Sequence, residues 1–254
     1  MEFSALASGS SGNCFYIENK AGILVDAGIS CKQIYERLRL LEKNPKNIKA
    51  IFVTHEHTDH TKGIDVLARE FQIPIYATQG TIKNSFLCSQ EDLINPIKNN
   101  ETINLSGLNI EAFSKSHDAS NPISLKIINS KTLSIITDIG YSCKNVQEAV
   151  HDSDFLVMES NHDLKMLENG PYPAFLKQRI ASNKGHISNL NSALCILEHA
   201  SSKLSHLMLA HLSKTNNTPN LALSVHKNLI KERYDLKPKI SVSNRDIPSP
   251  LFKI

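Results

Sequence analysis

The chain has 254 residues, 41% hydrophobic and 21% charged, the ordinary composition of a globular protein long enough to bury a large core in one domain or two intimately packed halves. Its formal charge of +3 permits a polyanionic substrate without singling one out. No apolar run reaches about 18 residues, and Met1–Gly9 lacks the basic-then-apolar layout of a leader, so neither a membrane span nor export is expected. The five cysteines (Cys14, Cys31, Cys88, Cys143 and Cys195) are odd in number, scattered and without a CxxC pair. That argues against a disulfide framework and for reduced thiols in the cytoplasm.

In chain order, Met1–Ala7 reads as an edge strand entering the turn Ser8-Gly9-Ser10-Ser11-Gly12-Asn13, whose backbone N–H groups and hydroxyls suit a phosphate or simply a flexible turn. Cys14–Glu18 and Gly22–Asp26 form a predicted hairpin. Ile29–Leu41, with apolar Ile34, Leu38 and Leu41, has helical periodicity. A buried strand over 48–53 then meets the densest stretch of the chain, Thr54-His55-Glu56-His57-Thr58-Asp59-His60. A helix over 63–71, a strand over 73–77, a helix over 80–88 and strands near 93–97 and 108–113 follow, the last ending at Ser116-His117-Asp118. Strands over 123–128 and 133–137 end at Thr137-Asp138-Ile139-Gly140, which repeats the Asp26-Ala27-Gly28 pattern and hints at two similar halves, roughly 1–122 and 123–254. The rest reads as a helix over 145–150, a strand over 155–159, the polar turn Ser160-Asn161-His162-Asp163, helices over 163–168, 173–182 and 190–199, a strand over 206–210 running into His211, a helix over 219–231 and a strand over 239–242. Strands and helices alternate throughout with no linker, which predicts a layered α/β fold.

Four potential ligands within six positions directly after a buried strand mark a metal site. Imidazole and carboxylate without a nearby thiolate suit zinc, manganese or iron. Adding the strand-end residues gives seven ligands, His55, His57, Asp59, His60, His117, Asp138 and His211, too many for one ion and enough for two. His55, His57 and His117 hold the first in this reading, Asp59, His60 and His211 the second, and Asp138 bridges them. Two ions about 3.5–4 Å apart share a hydroxide, whose parent water falls from a pKa of about 15.7 toward about 7 when bound. Asp26 reads as a turn former or as the partner that orients a metal histidine.

These residues, in this order, resemble the metallo-β-lactamase superfamily. The resemblance implies a four-layer αββα sandwich, two mixed sheets flanked by helices, with Asp26 as the aspartate behind the ligands. Ser8–Cys14, Glu159–Asp163, Gly170-Pro171-Tyr172-Pro173, Gly185–Asn189 and Ala210–Ser213 together look like the YycJ/WalJ branch. The branch implies cytoplasmic 5′→3′ exonuclease action on DNA in a repair role, by metal-hydroxide attack on a phosphodiester. It also casts His186, 25 positions before His211 (211 − 186), as the acid that protonates the leaving oxygen, as in the tRNA 3′-end endonuclease RNase Z. Asp59 and His186 are thus the catalytic candidates, and Ser10, Ser11, Asn13 and His162 candidate contacts around them. Only 73 positions separate Asp138 from His211 (211 − 138), too few for a β-CASP insertion, so a single domain over 1–254 is expected. Lys83, Lys115, Lys165, Lys177, Arg179, Lys184 and Lys214 are candidate phosphate contacts. The expected partners are two divalent ions, zinc or manganese, and a nucleic acid, with DNA first. An RNase Z-like endoribonuclease or small cyclic phosphodiesterase stands second, and an acyl hydrolase (lactonase or thioesterase) third. A non-catalytic nucleic-acid-binding protein stands fourth, disfavoured by the intact ligand set.

Overall fold

A computed structural model describes residues 1–254. In chain order the elements begin with strands β1 (Glu2–Ala7), β2 (Cys14–Glu18) and β3 (Gly22–Val25), helix α1 (Cys31–Leu40), strand β4 (Ile48–Phe52), and helices α2 (Thr58–Thr61) and α3 (Ile64–Phe71). Strand β5 (Ile75–Thr78), helix α4 (Gln79–Asn84) and strands β6 (Ile94–Ile97), β7 (Thr102–Leu105), β8 (Leu108–Ser114), β9 (Ile123–Ile128) and β10 (Thr132–Ile136) come next. Then follow helix α5 (Lys144–His151), strand β11 (Phe155–Glu159), helices α6 (Leu164–Asn169), α7 (Ala174–Ile180) and α8 (Asn189–His199), strand β12 (His206–Ala210), helix α9 (Pro219–Ile230) and strands β13 (Lys239–Val242) and β14 (Phe252–Lys253). The first sheet has the order β14-β1-β2-β3-β4-β5-β6 and the second β13-β12-β11-β10-β9-β8-β7. Both are mixed, and no helix is long and apolar enough to cross a membrane.

The chain divides into two compact units, residues 1–114 with 119–123 and 243–254, and residues 115–118 with 124–242. In the first, β3, β4, β5 and β6 run parallel, so their carboxyl ends share one edge. Helix α1 covers this sheet through Ile34 and Leu38, both wholly buried with Leu24 and Ile51 in the core. Ser30 caps it: its hydroxyl accepts the Gln33 N–H while the Gln33 side chain accepts the Ser30 N–H, a reciprocal box worth about 1 kcal/mol. In the second unit β10, β11, β12 and β13 run parallel, and β9 returns antiparallel to β10. Strand β11 is buried at all five positions, including its last residue, Glu159. A strand buried on both faces ends there in a charge, which is costly without partners.

Candidate active site

In the first unit the ligand motif starts at the carboxyl end of β4. Asp26, at the end of the neighbouring parallel strand β3, stands behind it, wholly buried. Its carboxylate accepts the Thr54 N–H (2.8 Å), the Thr54 hydroxyl (2.9 Å) and the Nδ1–H of His60 (2.7 Å). Three donors satisfy a buried charge that would otherwise not survive there. They also fix the His60 tautomer, with the proton on Nδ1 and the lone pair on Nε2. His55 is held the same way, its Nδ1 2.9 Å from the Thr54 hydroxyl oxygen. His55 Nε2 lies 3.1 Å from His57 Nδ1, close to the roughly 3.3 Å between two donors bound tetrahedrally at about 2.0–2.1 Å from one ion. After His57 the motif winds into α2, which carries Asp59 and His60.

Two further residues clamp this loop. The Asn13 amide reaches Asp59 Oδ2 (3.3 Å) and His60 Nε2 (3.1 Å), its carbonyl oxygen accepts the Gly9 N–H (3.0 Å), and its own N–H donates to the Asp59 carbonyl (2.7 Å). Gly28 is required by space: a Cβ there would stand 1.6 Å from the Asp59 carbonyl oxygen.

In the second unit Asp138, Glu159 and His211 follow three neighbouring parallel strands whose register pairs Ile136 with Met158 and Glu159 with Ala210. Strand pairing thus places the three side by side. Glu159 Oε1 accepts Nδ1–H bonds from both His186 and His211, each 2.8 Å, and Oε2 accepts the Ile139 N–H at 2.7 Å. Burial acts to raise the Glu159 carboxyl, but the charge and hydrogen bonds of the two imidazoles outweigh it and bring the group down to about 2. Ligand atoms of Asp138, Glu159, His186 and His211 all lie within 4.8 Å of one another. His117 donates from Nδ1 to the Gly185 carbonyl at 3.1 Å, and burial lowers its pKa to about 4, so the ring is neutral, as a metal ligand must be. His186 is the one imidazole of the cluster with a substantial opening, its side chain 23% exposed against 2% for His211.

Strain concentrates here. Asp26 (φ 60°), Asp138 (φ 56°) and His211 (φ 53°) all adopt the left-handed region. Each costs about 1–2 kcal/mol, a cost that persists where the surrounding structure over-determines it. The two Asp-x-Gly turns are therefore alike in backbone as well as in sequence.

The first unit gathers His55, His57, Asp59 and His60 around Asp26 and Asn13; the second gathers His117, Asp138, His186 and His211 around Glu159. Asn13 is wholly buried and works as a positioning residue of the motif, while Ser10 and Ser11 are exposed on the turn. His162 is also buried, its carbonyl accepting the Asn189 N–H, so it ties the end of β11 to α8. Lys115 is not a surface cation: it is 7% exposed and donates to the Thr137 carbonyl at 2.7 Å. Glu159 was missed. Its signal is a carboxylate closing an otherwise apolar strand, Phe155-Leu156-Val157-Met158-Glu159. The donor set fits divalent ions: His60 and His211 are held through Nδ1 by buried carboxylates, His55 by a hydroxyl and His117 by a carbonyl, each with its proton on Nδ1 and the ligand-type lone pair on Nε2.

Hydrolase chemistry at the carboxyl ends of parallel strands, with carboxylate-backed histidines in each half of a two-sheet fold, defines the class. The chain belongs to the metallo-β-lactamase superfamily: the beta-lactamase superfamily domain matches residues 22–212. The chain is 35% identical to the exodeoxyribonuclease YycJ of Bacillus anthracis, covering 98% of this chain and 97% of that protein. It is 37% identical to the exodeoxyribonuclease WalJ of Streptococcus pneumoniae over 87% of this chain and 85% of that one. In fold it matches the metallo-beta-lactamase fold protein YhfI from Bacillus subtilis with a TM-score of 0.74, covering 98% of each chain at 14% identity. The resemblance drawn from the motifs holds, and so do the two mixed sheets flanked by helices.

Proposed function

We propose that this protein is a metal-dependent phosphodiesterase that removes nucleotides from the 5′ end of DNA, working in the cytoplasm as one catalytic domain. The observation that carries the chemistry is the Glu159 carboxylate shared by His211 and His186. It couples a metal-ligand histidine to a half-open one. The 35% and 37% identity, over 98% and 87% of the chain, to proteins named exodeoxyribonucleases supports the substrate class. Five cysteines without a disulfide accord with a reducing compartment.

In this reading His55, His57 and His117 would hold one divalent ion and Asp59, His60 and His211 a second, with Asp138 shared between them. Zinc or manganese held there would supply Lewis acidity that activates water and neutralises phosphate charge. The chain's own groups do the rest. Asp26 and Glu159 fix the tautomers of His60 and His211. Asp59, whose carboxylate is 25% exposed at the rim of the motif, takes the proton from the attacking water. His186, oriented at Nδ1 by Glu159, presents Nε2 to the leaving oxygen and delivers a proton to it, a role worth about 10²–10⁴-fold.

The test is digestion of 5′- and 3′-end-labelled DNA and RNA, single- and double-stranded, with zinc or manganese supplied. Stepwise release from a DNA 5′ end, abolished in Asp59→Ala and reduced at least a hundredfold in His186→Ala with metal content unchanged, is expected. Preference for RNA would shift the reading to a ribonuclease on the same site. No cleavage of any nucleic acid by a fully metallated protein would end it.

A further inference from the structure

Helix α7 departs from the rest of the fold: of its seven residues none is buried, and Phe175 is 72% exposed. An amphipathic helix covers a core with its apolar side; this one turns an aromatic ring to solvent. It is nevertheless firmly anchored. Arg179 is ion-paired with Asp118, the residue after His117. The His186 N–H donates to the Ile180 carbonyl at 2.8 Å, and a Cβ at Gly185 would stand 2.2 Å from the carbonyl oxygens of Arg179 and Ile180, so the chain doubles back tightly onto the helix end. The same return holds the ligands: Gly185 accepts from His117, Lys184 accepts the Asp118 N–H, and Asn183 packs against Gly140 so closely that a Cβ there would lie 2.1 Å from its carbonyl oxygen. The segment that exposes Phe175 is thus the segment that seats His186 and His117.

Charge points the same way. Residues 164–185 carry Lys165, Lys177, Arg179 and Lys184 against Glu168 alone; with Arg179 paired to Asp118, three lysines stand against one glutamate. Phe175 and Arg179 are four residues apart and share a face of α7. Four residues of helix, about 6 Å of rise, separate Phe175 from Arg179, which is anchored to Asp118 next to His117.

An exposed ring interleaved with cations at the mouth of a phosphodiesterase site is how proteins hold a single strand: the cations follow the backbone and the ring stacks on a base. We infer that α7 and the loop to His186 form the platform for the substrate strand, Phe175 stacking on an unpaired base next to the scissile phosphate and Lys184 contacting a backbone phosphate. The inference rests on the proposed nuclease function and names the residues that bind its substrate.

The test uses the metal-loaded full chain and a phosphorothioate-linked single strand carrying 2-aminopurine near its 5′ end, read by quenching of that base. It is joined by kcat and KM on the cleavable strand and on bis-p-nitrophenyl phosphate. Phe175→Ala should abolish the quenching and raise Kd and KM for the strand about 5- to 100-fold, with kcat and bis-p-nitrophenyl phosphate hydrolysis unchanged. Phe175→Trp should restore both readouts, which a merely structural role would not do. Because Phe175 is largely exposed, Phe175→Ala should stay close to the wild-type melting temperature. Wild-type quenching and KM in Phe175→Ala would overturn the platform while leaving the nuclease reading intact. Phe175-dependent quenching by a protein that cuts no DNA would uphold the platform and overturn the nuclease reading. A wild-type protein that neither quenches nor cuts would overturn both.

Discussion

Glu159→Gln is the most informative single change. The wild-type carboxylate takes three N–H donors, from His186, His211 and Ile139, with no exposed surface. A glutamine has one acceptor oxygen. If that oxygen faces the imidazoles, the amide NH2 confronts the Ile139 N–H. If it faces Ile139, the NH2 confronts both ring N–H groups. Either orientation leaves buried donors opposed, costing about 1–3 kcal/mol and lowering Tm by several degrees in a protein of this size. The larger effect is chemical. Without the carboxylate the His211 proton is held on Nδ1 in only one of the two amide orientations, so the Nε2 lone pair is lost part of the time and metal affinity should fall about 10–100-fold. His186 loses the same anchor, and the proton-donor contribution of about 10²–10⁴ goes with it. Metal occupancy at buffered free zinc, by elemental analysis, and hydrolysis of bis-p-nitrophenyl phosphate at saturating zinc separate the two losses. A Glu159→Gln protein with wild-type zinc affinity and wild-type turnover would refute the reasoning outright.

Further predictions follow from the same geometry. Asp26→Asn should weaken metal binding about 10–100-fold through His60, measured in the same zinc buffers, and leave His186 function intact at saturating metal. Gly28→Ala has no room for its methyl against the Asp59 carbonyl and should be destabilised by about 1–3 kcal/mol, read as a lower urea midpoint, with loss of metal at the motif. His226 is wholly buried between α8 and α9, and burial lowers its pKa from 6.5 to about 4. The unfolded chain therefore binds a proton that the folded one refuses: stability is full above about pH 6.5 and falls as pH drops toward 4, by about 3 kcal/mol in all for this residue. His226→Leu should flatten the fall of the urea midpoint between pH 6.5 and 4.5; an unchanged slope would contradict the assignment. Of the five thiols only Cys143 is not buried, so native protein should react with about one equivalent of a thiol reagent and denatured protein with five.

Most of the architecture was legible because its strands are apolar runs ended by Gly, Asn or Asp, and its longer helices are strongly periodic. Where reading failed, the reason is local. Strand β7 is four residues, two of them polar, and its hairpin turns through Ser106-Gly107, both at positive φ, a turn signal that was passed over. Helix α2 hides within the metal motif because four residues give no period to detect. Strand β14 is two residues that exist only through pairing with β1. The candidate ligands at strand ends were legible by residue type. Glu159 was not, because what sets it beside His186 and His211 is the lateral register of β10, β11 and β12, which only the folded sheet supplies. Lys115 shows the reverse error: a cation read as a candidate phosphate contact is buried and donates to a backbone carbonyl.

No residue of helix α7 is fully buried, yet the helix is bolted to the loops that carry His117 and His186. Its outward side chains can therefore be rewritten without disturbing either the core or the ligand geometry, provided Arg179 and Gly185 are kept. Such a separation makes the segment a natural place for a lineage to retune which strand it accepts. On the proposal that α7 carries the substrate strand, it is a cassette for an engineer: exchanging a handful of exposed residues there should redirect the enzyme toward other polyanions while Arg179 and Gly185 keep their anchoring contacts.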